Sequence, residues 1–216
     1  MPRTRALDYE TKRQEILQQS TRLLAEHGYV GTSITMITDA CGISRSLLYY
    51  YYPDKDAVVF DILYNNIKAH LAAAQKATRS LADPKENLLE IIFSILEFSQ
   101  HNDLERVARR KTLGYLPEDR MEQIRQVERK LVAVLSKAIA EAVPSVGKGP
   151  LLKATTHSVF SMLNWHIRWF RDDGGLSRRE YAQLIAQMIL AGAPLAAADM
   201  PARTLPTTVR KKPAKD

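Results

Sequence analysis

The sequence predicts an all-α protein of about nine helices arranged in two domains. The first observation is a pair of short helical segments joined by a glycine turn within residues 32–55. The second is that apolar residues beyond position 54 recur at intervals of three and four over long segments. Breaks that contain proline or paired polar residues separate these segments and end the helices. A chain of 216 residues with 45% hydrophobic residues is long and apolar enough to form a core.

The net charge of +7 fits a nucleic-acid partner, but its distribution makes it a weak argument. Residues 1–60 contain seven Lys/Arg and seven Asp/Glu, so they are neutral overall. Residues 201–216 contain five basic residues and one acidic residue and thus supply four of the seven charges. Because affinity for DNA grows with each neutralised phosphate, one copy with few local cations would bind weakly. This predicts a dimer.

Cysteine usage and the N-terminal residues predict a soluble, cytoplasmic protein. The single cysteine, Cys41, cannot form an intrachain disulfide, which is typical of a reducing compartment. Residues 1–14 are charged and polar, unlike a secretory signal. The longest apolar run, 188–198, contains Pro194 and is shorter than the roughly 20 residues that span a membrane.

Residues 32–55 predict two short helices joined by a tight turn. Ser33 is a favourable N-cap, because its hydroxyl accepts a hydrogen bond from a backbone N–H of the first turn. Gly42 follows the helix 34–41 and suits the left-handed conformation that ends helices. Ser44 caps a second helix over 45–52. This is the layout of a helix-turn-helix, whose second helix enters the DNA major groove.

The second short helix contains four consecutive tyrosines, Tyr49 to Tyr52, which span about one helical turn. One or two rings should therefore face inward, and the others should face solvent or a partner. A tyrosine packs through its ring and donates through its hydroxyl, which suits contact with a phosphate. Pro53 ends this helix. Lys55 lies in the first turn of the next helix, where a cation is unfavourable for the helix dipole, so a phosphate is its expected partner.

Residues 10–63 resemble the DNA-binding domain of the TetR family of bacterial transcription regulators. The resemblance rests on the helix end His27-Gly28-Tyr29, the pair Thr32-Ser33, the turn Gly42-Ile43-Ser44, the pair Leu48-Tyr49, and Tyr52 followed by Lys55. The sequence departs from the family's pattern at Ser46, Leu47 and Tyr52, where the family more often has a small residue, Thr and Phe. The first two positions face bases in the family, so these departures bear on which operator is recognised.

The resemblance implies a regulator with three parts and fixed roles for its helix-turn-helix residues. Residues 1–53 form a three-helix DNA-binding domain, 54–196 form a helical ligand-binding and dimerisation domain, and 197–216 form a basic, disordered tail. The implied partners are a palindromic double-stranded operator, a second copy and a small-molecule inducer that releases a repressor. Base contacts are expected from Arg45, Ser46 and Leu47. Phosphate contacts are expected from Thr32, Ser33, Tyr49, Tyr50 and Lys55.

The first helix is predicted over residues 8–27, and its apolar face supports the helix-turn-helix. Residues 1–8 before it are interpreted as a flexible arm. Arg3 and Arg5 in this arm either contact a minor groove or are simply solvated.

The second domain begins with a long helix predicted over 54–81. A nearly all-apolar helix over 84–101 follows, which predicts a central position. A short basic segment comes after Asn102-Asp103, and another helix is predicted over 117–143. The loop after it contains Gly147-Lys148-Gly149, which lacks the spacing of a phosphate-binding P-loop.

The helix predicted over 151–172 has a wide apolar surface. At 100° per residue its apolar side chains cover around 220°, about twice the usual stripe. One part should face the interior and the other a second copy, together with the last helix, 177–193, which Pro194 should end. Two helices from each copy make a four-helix interface, as the resemblance also implies. The expected interface residues are Phe160, Leu163, Ile167, Phe170, Tyr181, Leu184, Ile185 and Met188.

By resemblance, the helices between residues 54 and 172 enclose a pocket for the inducer. The segment 164–170, followed by Gly174-Gly175-Leu176-Ser177, is similar to family members that respond to acyl-CoA thioesters. Tryptophan supplies flat apolar area and arginine supplies anion contacts, which an apolar chain with a phosphorylated head requires. The alternative is that the tryptophans are core or interface and the arginines a solvated face. The expected ligand-binding residues are Tyr64, Phe98, Arg109, Trp165, Arg168 and Trp169.

No metal site, cofactor or catalytic group is predicted. The histidines at positions 70, 101, 157 and 166 lack the spacing of metal ligands. The sequence contains no carboxylate pair, nucleophile–base set or cofactor motif, so an enzyme acting on a thioester is the least favoured alternative. A helical ligand-binding or scaffold protein without DNA binding is the other.

Overall fold

The computed structural model describes residues 2–78, 83–101, 103–171 and 173–199, and within them it contains nine α-helices and no strand. Side chains are described for 8–78, 83–98, 104–171 and 173–199. The side chains of Arg3 and Arg5 and the predicted tail beyond residue 199 lie outside the described residues. The all-α prediction is confirmed. The helices are α1 (Pro2–Gly31), α2 (Ile34–Cys41), α3 (Arg45–Tyr51), α4 (Lys55–Ala77), α5 (Pro84–His101), α6 (Asp103–Thr112), α7 (Glu118–Ala142), α8 (Pro150–Trp165) and α9 (Arg178–Asp199).

Helix α1 begins earlier than predicted, at Pro2, so the backbone of the predicted flexible arm is helical. Its regular part ends at His27, as predicted, because Gly28 has non-helical angles, with φ 72° and ψ −176°. Glycine adopts a positive φ easily, so the backbone kinks there, and one further short turn carries α1 to Gly31.

Helices α8 and α9 also differ from their predicted limits. Helix α8 ends at Trp165 and is followed by a 3₁₀ turn, His166–Arg168. His166 is buried, and its Nδ1 lies 2.5 Å from the Leu163 carbonyl, which a continuing helix would offer to residue 167. Helix α9 does not end at Pro194 but runs through it to Asp199, so residues 197–199 belong to this helix and not to the predicted tail.

Helices α1, α2 and α3 pack into the small helix-turn-helix unit that the sequence predicts. Ile16 and Leu24 of α1, Ile37 of α2 and Leu48 of α3 are almost completely buried. Helix α1 also packs along α6 and touches α4, so it belongs to this unit and to its contact with the rest of the chain.

The remaining helices surround α5. Five of its side chains, Leu88, Ile91, Ile92, Ile95 and Leu96, are at most 1% exposed. Helix α5 packs against α4, α7 and α9, and α7 in turn packs against α4 and α8. The prediction that residues 84–101 form a central helix is therefore confirmed.

Candidate nucleic-acid interface and ligand cavity

The turn between α2 and α3 has the geometry that its sequence predicts. Ser33 caps α2 by accepting a hydrogen bond from the Met36 N–H at 3.2 Å. Gly42 ends α2 in the left-handed conformation, with φ 60° and ψ 35°. Ser44 caps α3 by accepting from the Leu47 N–H at 3.1 Å. These local bonds fix the direction in which α3 leaves the turn.

The side chains of α3 divide into a buried and an exposed face. Leu48 is 0% exposed and Tyr52, which follows the helix, is 5% exposed, whereas Tyr49 and Tyr50 are 52% and 71% exposed. Tyr51 is half-buried and stacks on Tyr9 of α1, with ring centroids 4.6 Å apart. The prediction that the tyrosines split between interior and surface is confirmed.

The exposed face of α3 also contains Arg45, Ser46 and Leu47. The Arg45 guanidinium donates a hydrogen bond to the Thr35 hydroxyl of α2, which holds it against the neighbouring helix. The residues expected to contact bases thus lie together with Tyr49 and Tyr50 on one open surface.

Tyr52 joins α3 to α4 through Asp61. Its hydroxyl donates to the Asp61 carboxylate at 2.6 Å, and that carboxylate also accepts bonds from Arg13 of α1 and Asn65 of α4. Burial and the bond to Asp61 raise the pKa of the Tyr52 hydroxyl far above its usual value, so it remains a donor. Tyrosine at a position where the family more often has phenylalanine thus supplies a polar link between three helices.

Two of the expected phosphate-contacting side chains are used inside the protein. Thr32 is 1% exposed, and its hydroxyl donates to the Gly28 carbonyl at 2.8 Å. The Lys55 ammonium donates to the carbonyls of Tyr29 and Thr32, both at 2.8 Å, and lies 4.0 Å from the centre of the Tyr29 ring. The expectation for the Thr32 side chain is corrected, because its hydroxyl is buried. The Lys55 ammonium lies at the C-terminal end of α1, where carbonyls attract a cation, and its contact with a phosphate stays a prediction.

A second lysine, Lys111 of α6, binds the same end of α1. Its ammonium donates to the carbonyls of Ala25 at 2.6 Å and Glu26 at 2.9 Å. The sequence placed Lys111 in a basic segment with three arginines, and nothing in the segment separated its role from theirs. Lys55 and Lys111 together fasten the end of α1 to α4 and α6.

Aromatic and ionic contacts strengthen this junction. The rings of Tyr29 and Tyr115 stack with centroids 4.8 Å apart, and the Tyr29 hydroxyl donates to Asp56. That hydrogen bond to a carboxylate raises the pKa of Tyr29 to about 12. Asp54 caps α4 by accepting a hydrogen bond from the Ala57 N–H. The Asp54 carboxylate also forms an ion pair with Arg120 of α7 at 3.1 Å. The DNA-binding unit is therefore bonded to α4 and α6, and the Arg120–Asp54 ion pair joins α7 to the start of α4.

A cavity of about 700 Å³ lies between α4, α5, α6, α7 and α8. Pockets for small molecules usually have volumes of roughly 300–1,000 Å³. Four of the predicted ligand-binding residues line it, and the other two do not. Its lining residues are Asn66, Ile67, His70, Phe98, Arg106, Arg109, Arg110, Leu113, Glu128, Leu131, Phe160, Ser161, Asn164, Trp165, Ile167 and Arg168.

Tyr64 and Trp169 are the two predicted ligand residues that lie elsewhere. Tyr64 stacks on Phe60 of its own helix, with centroids 5.1 Å apart. Trp169 contacts Tyr181 of α9 edge-on at 5.2 Å. The expectation for Trp169 assumed that the helix continues to residue 172. Because α8 ends at Trp165, the side chain of Trp169 lies against α9 instead of in the cavity.

The cavity has an apolar interior and a cationic lining. Ile67 and Leu131 are buried, and among the described lining residues there are four arginines and one carboxylate, that of Glu128. Arg109 and Glu128 form an ion pair between α6 and α7. The excess of guanidinium groups favours an anionic ligand with an apolar part.

His70 is the titratable group in this lining whose pKa is most perturbed. Its ring stacks on Phe98 with centroids 4.4 Å apart. Burial, with Arg109 as the second cause, lowers the pKa of His70 to about 4, so the imidazole is neutral. Its Nε2 has no hydrogen-bond partner within the described part of the chain.

A second hollow, of about 740 Å³, lies between α1, α4 and the start of α6. Its lining is dominated by uncharged polar side chains such as Gln14, Gln18 and Asn65, and it lacks the combination of apolar interior and clustered cations. No group of three or more His, Cys, Asp or Glu side chains among the described residues is placed to hold a metal ion.

The predicted dimer residues fall into two sets. Leu163, Tyr181 and Ile185 are at most 7% exposed within one copy, so they pack against their own chain and their assignment to an interface is corrected. Phe160, Ile167 and Phe170 are partly buried, and the first two line the cavity. Leu184 and Met188 remain 47% and 54% exposed.

Helix α9 thus has two apolar faces. Tyr181, Ile185 and Ile189 face the core, and Leu184, Met188 and Leu195 face outward. By length and composition alone, α9 is the one helix in the described part of the chain that qualifies as a membrane span. Buried core on one side and exposed apolar surface on the other also fit a helix that packs against a partner.

Comparison with known proteins shows relatives over both halves of the chain. Residues 16–62 match the family "Bacterial regulatory proteins, tetR family", and residues 81–193 match the family "Tetracyclin repressor-like, C-terminal domain". The transcriptional repressor KstR2 of Mycobacterium tuberculosis (strain CDC 1551 / Oshkosh) is 24% identical over 192 residues, which cover 84% of this chain and 92% of KstR2.

Solved structures agree with these matches. The TetR-family regulator PfmR of Thermus thermophilus is 27% identical and superimposes with a TM-score of 0.71 over 82% of this chain and 94% of PfmR. AibR, solved in complex with isovaleryl coenzyme A and operator DNA, is 22% identical and has a TM-score of 0.68 over 82% of this chain and 97% of AibR. The chain therefore belongs to the TetR family of bacterial regulatory proteins and is a helix-turn-helix transcriptional regulator.

Proposed function

We propose that this protein is a cytoplasmic, homodimeric repressor that leaves a palindromic operator when an amphipathic anion, expected to be an acyl-CoA thioester, fills its cavity. The observation that carries the proposal is the cavity itself, which combines an apolar interior with four arginines. The structural similarity to AibR, which binds isovaleryl coenzyme A and operator DNA, supports the ligand class.

The exposed face of α3 supports the DNA-binding step. Arg45, Ser46 and Leu47 occupy the N-terminal part of the helix, from which recognition helices contact base edges. Leu47 suits contact with a thymine methyl group. Tyr49 and Tyr50 present exposed hydroxyl groups for phosphates, and the exposed N-cap Ser33 lies at the start of α2. Lys55, which is partly exposed, remains in the proposed phosphate set with these three residues, whereas the buried Thr32 side chain is removed from it.

The outward face of α9 supports the dimer. A symmetric dimer places the same patch of each copy against the other, so an exposed apolar stripe of Leu184, Met188 and Leu195 is suited to the contact. Two α3 helices then read half-sites about 34–36 Å apart, one turn of DNA.

Helix α6 supplies the connection between ligand and DNA. Arg109 lines the cavity, and Lys111, two residues further on, binds the end of α1. Residues two apart on a helix point in nearly opposite directions, at about 200°. A ligand that shifts α6 through Arg109 therefore also shifts Lys111 and, with it, the DNA-binding unit. Ligand and operator then oppose each other, and each weakens the other's binding by the same factor.

Footprinting on the DNA that flanks the coding region, with and without acyl-CoA thioesters, tests this function. We expect a protected palindrome that one or more thioesters release. Protection that no ligand relieves would contradict the inducer, and the absence of salt-dependent binding would favour a ligand-binding protein without DNA function. Turnover of a thioester by the pure protein would favour the enzyme alternative.

A further inference from the structure

The cavity lining divides by exposure into an interior and a mouth. The interior contains Ile67, Leu131, Phe98 and Phe160, which are buried or half-buried. The mouth consists of the exposed lining residues, and four of the five come from the end of α8 and the turn that follows it. They are Arg110, Ser161, Asn164, Trp165 and Arg168.

The two mouth arginines differ from Arg109 in their partners. Arg109 is paired with Glu128, so its charge is already matched. Within the described part of the chain, neither Arg110 nor Arg168 has a carboxylate within salt-bridge distance. Two guanidinium groups without a counter-charge at a solvent-accessible opening favour a group with two or more negative charges, such as a phosphate or pyrophosphate.

Trp165 adds a flat apolar surface beside these charges. Its indole is 59% exposed, and the Arg168 guanidinium lies 4.5 Å from the ring centroid. The arginine thus covers part of the indole and still leaves more than half of the side chain open to solvent. An exposed indole beside phosphate-binding arginines is an arrangement that stacks the ring of a nucleotide.

We propose that this mouth is a head-group site for a phosphorylated, ring-bearing group of the adenosine-phosphate type, and that the apolar part of the same ligand occupies the interior. Arg110 and Arg168 bind the phosphates and Trp165 stacks on the base. The inference rests on the proposed function for the presence of a ligand in the cavity. It adds that affinity comes from the head group as well as from the apolar chain.

Calorimetric titration of the full-length protein without DNA tests the head-group site. The probes are butyryl-, octanoyl- and palmitoyl-CoA, the corresponding N-acetylcysteamine thioesters, which lack phosphates and adenine, and the free fatty acids. We expect at least one CoA thioester to bind about 100-fold more tightly than its N-acetylcysteamine counterpart, since each charge-assisted contact contributes about tenfold. Equal affinities of the matched pair, or no binding of any CoA thioester, would overturn the inference.

Variants locate the site within the cavity. The double substitution Arg110→Gln/Arg168→Gln should weaken the CoA thioester about 30- to 100-fold and leave the cysteamine thioester within about twofold. Trp165→Leu should weaken the CoA thioester about fivefold. Arg171→Gln is the control, because Arg171 is exposed, lies three residues beyond Arg168 and is not among the residues that line the cavity. Loss of affinity for both thioesters alike would overturn the assignment to the head group.

The outcomes separate this inference from the proposed function. Fatty acids or cysteamine thioesters that bind as well as CoA thioesters and release DNA would leave the repressor intact and remove the head-group site. CoA thioesters that bind through the mouth without releasing DNA would support the head-group site and contradict the proposed release of the repressor. A Trp165→Leu variant whose dimer dissociates more readily while its CoA affinity is unchanged would place Trp165 at the dimer contact and overturn its role here.

Discussion

The DNA-binding face and the ligand cavity are built in different ways. The face is formed by two short helices and their caps, all within residues 33–52, so their local geometry depends on neighbours close in the sequence. The cavity is lined by side chains from five helices between residues 66 and 168. Sequence motifs therefore describe the first site in detail, whereas the second exists only once distant helices have packed. Substitutions in one region at a time test that contrast.

The largest effect is expected at the outward surface of α9, the proposed dimer contact, which belongs to neither region. Leu184→Lys/Met188→Lys should produce monomers at micromolar concentration and weaken operator binding more than about 100-fold, because charges would then lie in the proposed apolar contact. Sedimentation velocity and a DNA titration measure both effects. Gln183→Lys is the control, since Gln183 is exposed on the same helix but faces away from Met188. A double variant that remains dimeric would show that the interface lies elsewhere.

Substitutions of two adjacent leucines in α3 are expected to affect different properties, one the stability of the protein and the other its choice of operator. Leu48→Ala should destabilise the protein by about 4 kcal/mol, because Leu48 is 0% exposed and its loss leaves a cavity. Leu47→Ala should change stability by less than about 0.5 kcal/mol, because Leu47 is 38% exposed, but should alter which operator is preferred. Urea unfolding and titration of matched and scrambled operators distinguish them. Equal loss of stability in both variants would contradict the orientation of α3.

His70 is expected to give the ligand cavity a pH response. Its pKa in the folded protein, about 4, lies below the ordinary value of 6.5, so protonation favours the unfolded chain. The stability contribution is therefore complete above pH 6.5 and is lost as the pH falls toward 4, by about 3 kcal/mol in total. His70→Phe should remove this part of the pH dependence in urea unfolding measured across that range. An unchanged profile would mean that His70 does not titrate as a buried group.

The smallest effect is expected at the junction between the two regions. Lys111→Met and Lys55→Met should each cost about 1 kcal/mol of stability, since both ammonium groups bind carbonyls at the end of α1. Only Lys111 lies on α6 beside the cavity arginines. Ligand should therefore still weaken DNA binding in the Lys55 variant and weaken it less in the Lys111 variant. The same ligand response in both would remove α6 from the proposed connection.

The sequence predicted most of what depends on local geometry. Both N-caps, the left-handed Gly42, the split of the tyrosines and the central position of residues 84–101 agree with the structure. These features depend on hydrogen bonds within a turn or on the apolar pattern of one helix, which are visible in the sequence.

Features that depend on contacts between distant residues were not visible. Periodicity showed that Tyr181 and Leu184 are both apolar positions of α9, but only packing shows that the first faces the core and the second faces outward. The role of Lys55 depended on where α1 ends, and Lys111 binds carbonyls 85 and 86 positions away in the chain. The wide apolar surface predicted for 151–172 assumed a helix that in fact stops at Trp165.

In the proposed function, ligand binding in the cavity weakens operator binding at the DNA-binding face, and operator binding weakens ligand binding. The most direct test of this coupling is to measure operator affinity at saturating octanoyl-CoA and in its absence, and octanoyl-CoA affinity with and without saturating operator, in the same buffer. We expect both affinities to fall by the same factor, roughly 5- to 150-fold. Operator and ligand affinities that stay the same whether or not the other partner is bound would contradict the proposed coupling. A ligand that strengthens operator binding would also contradict it.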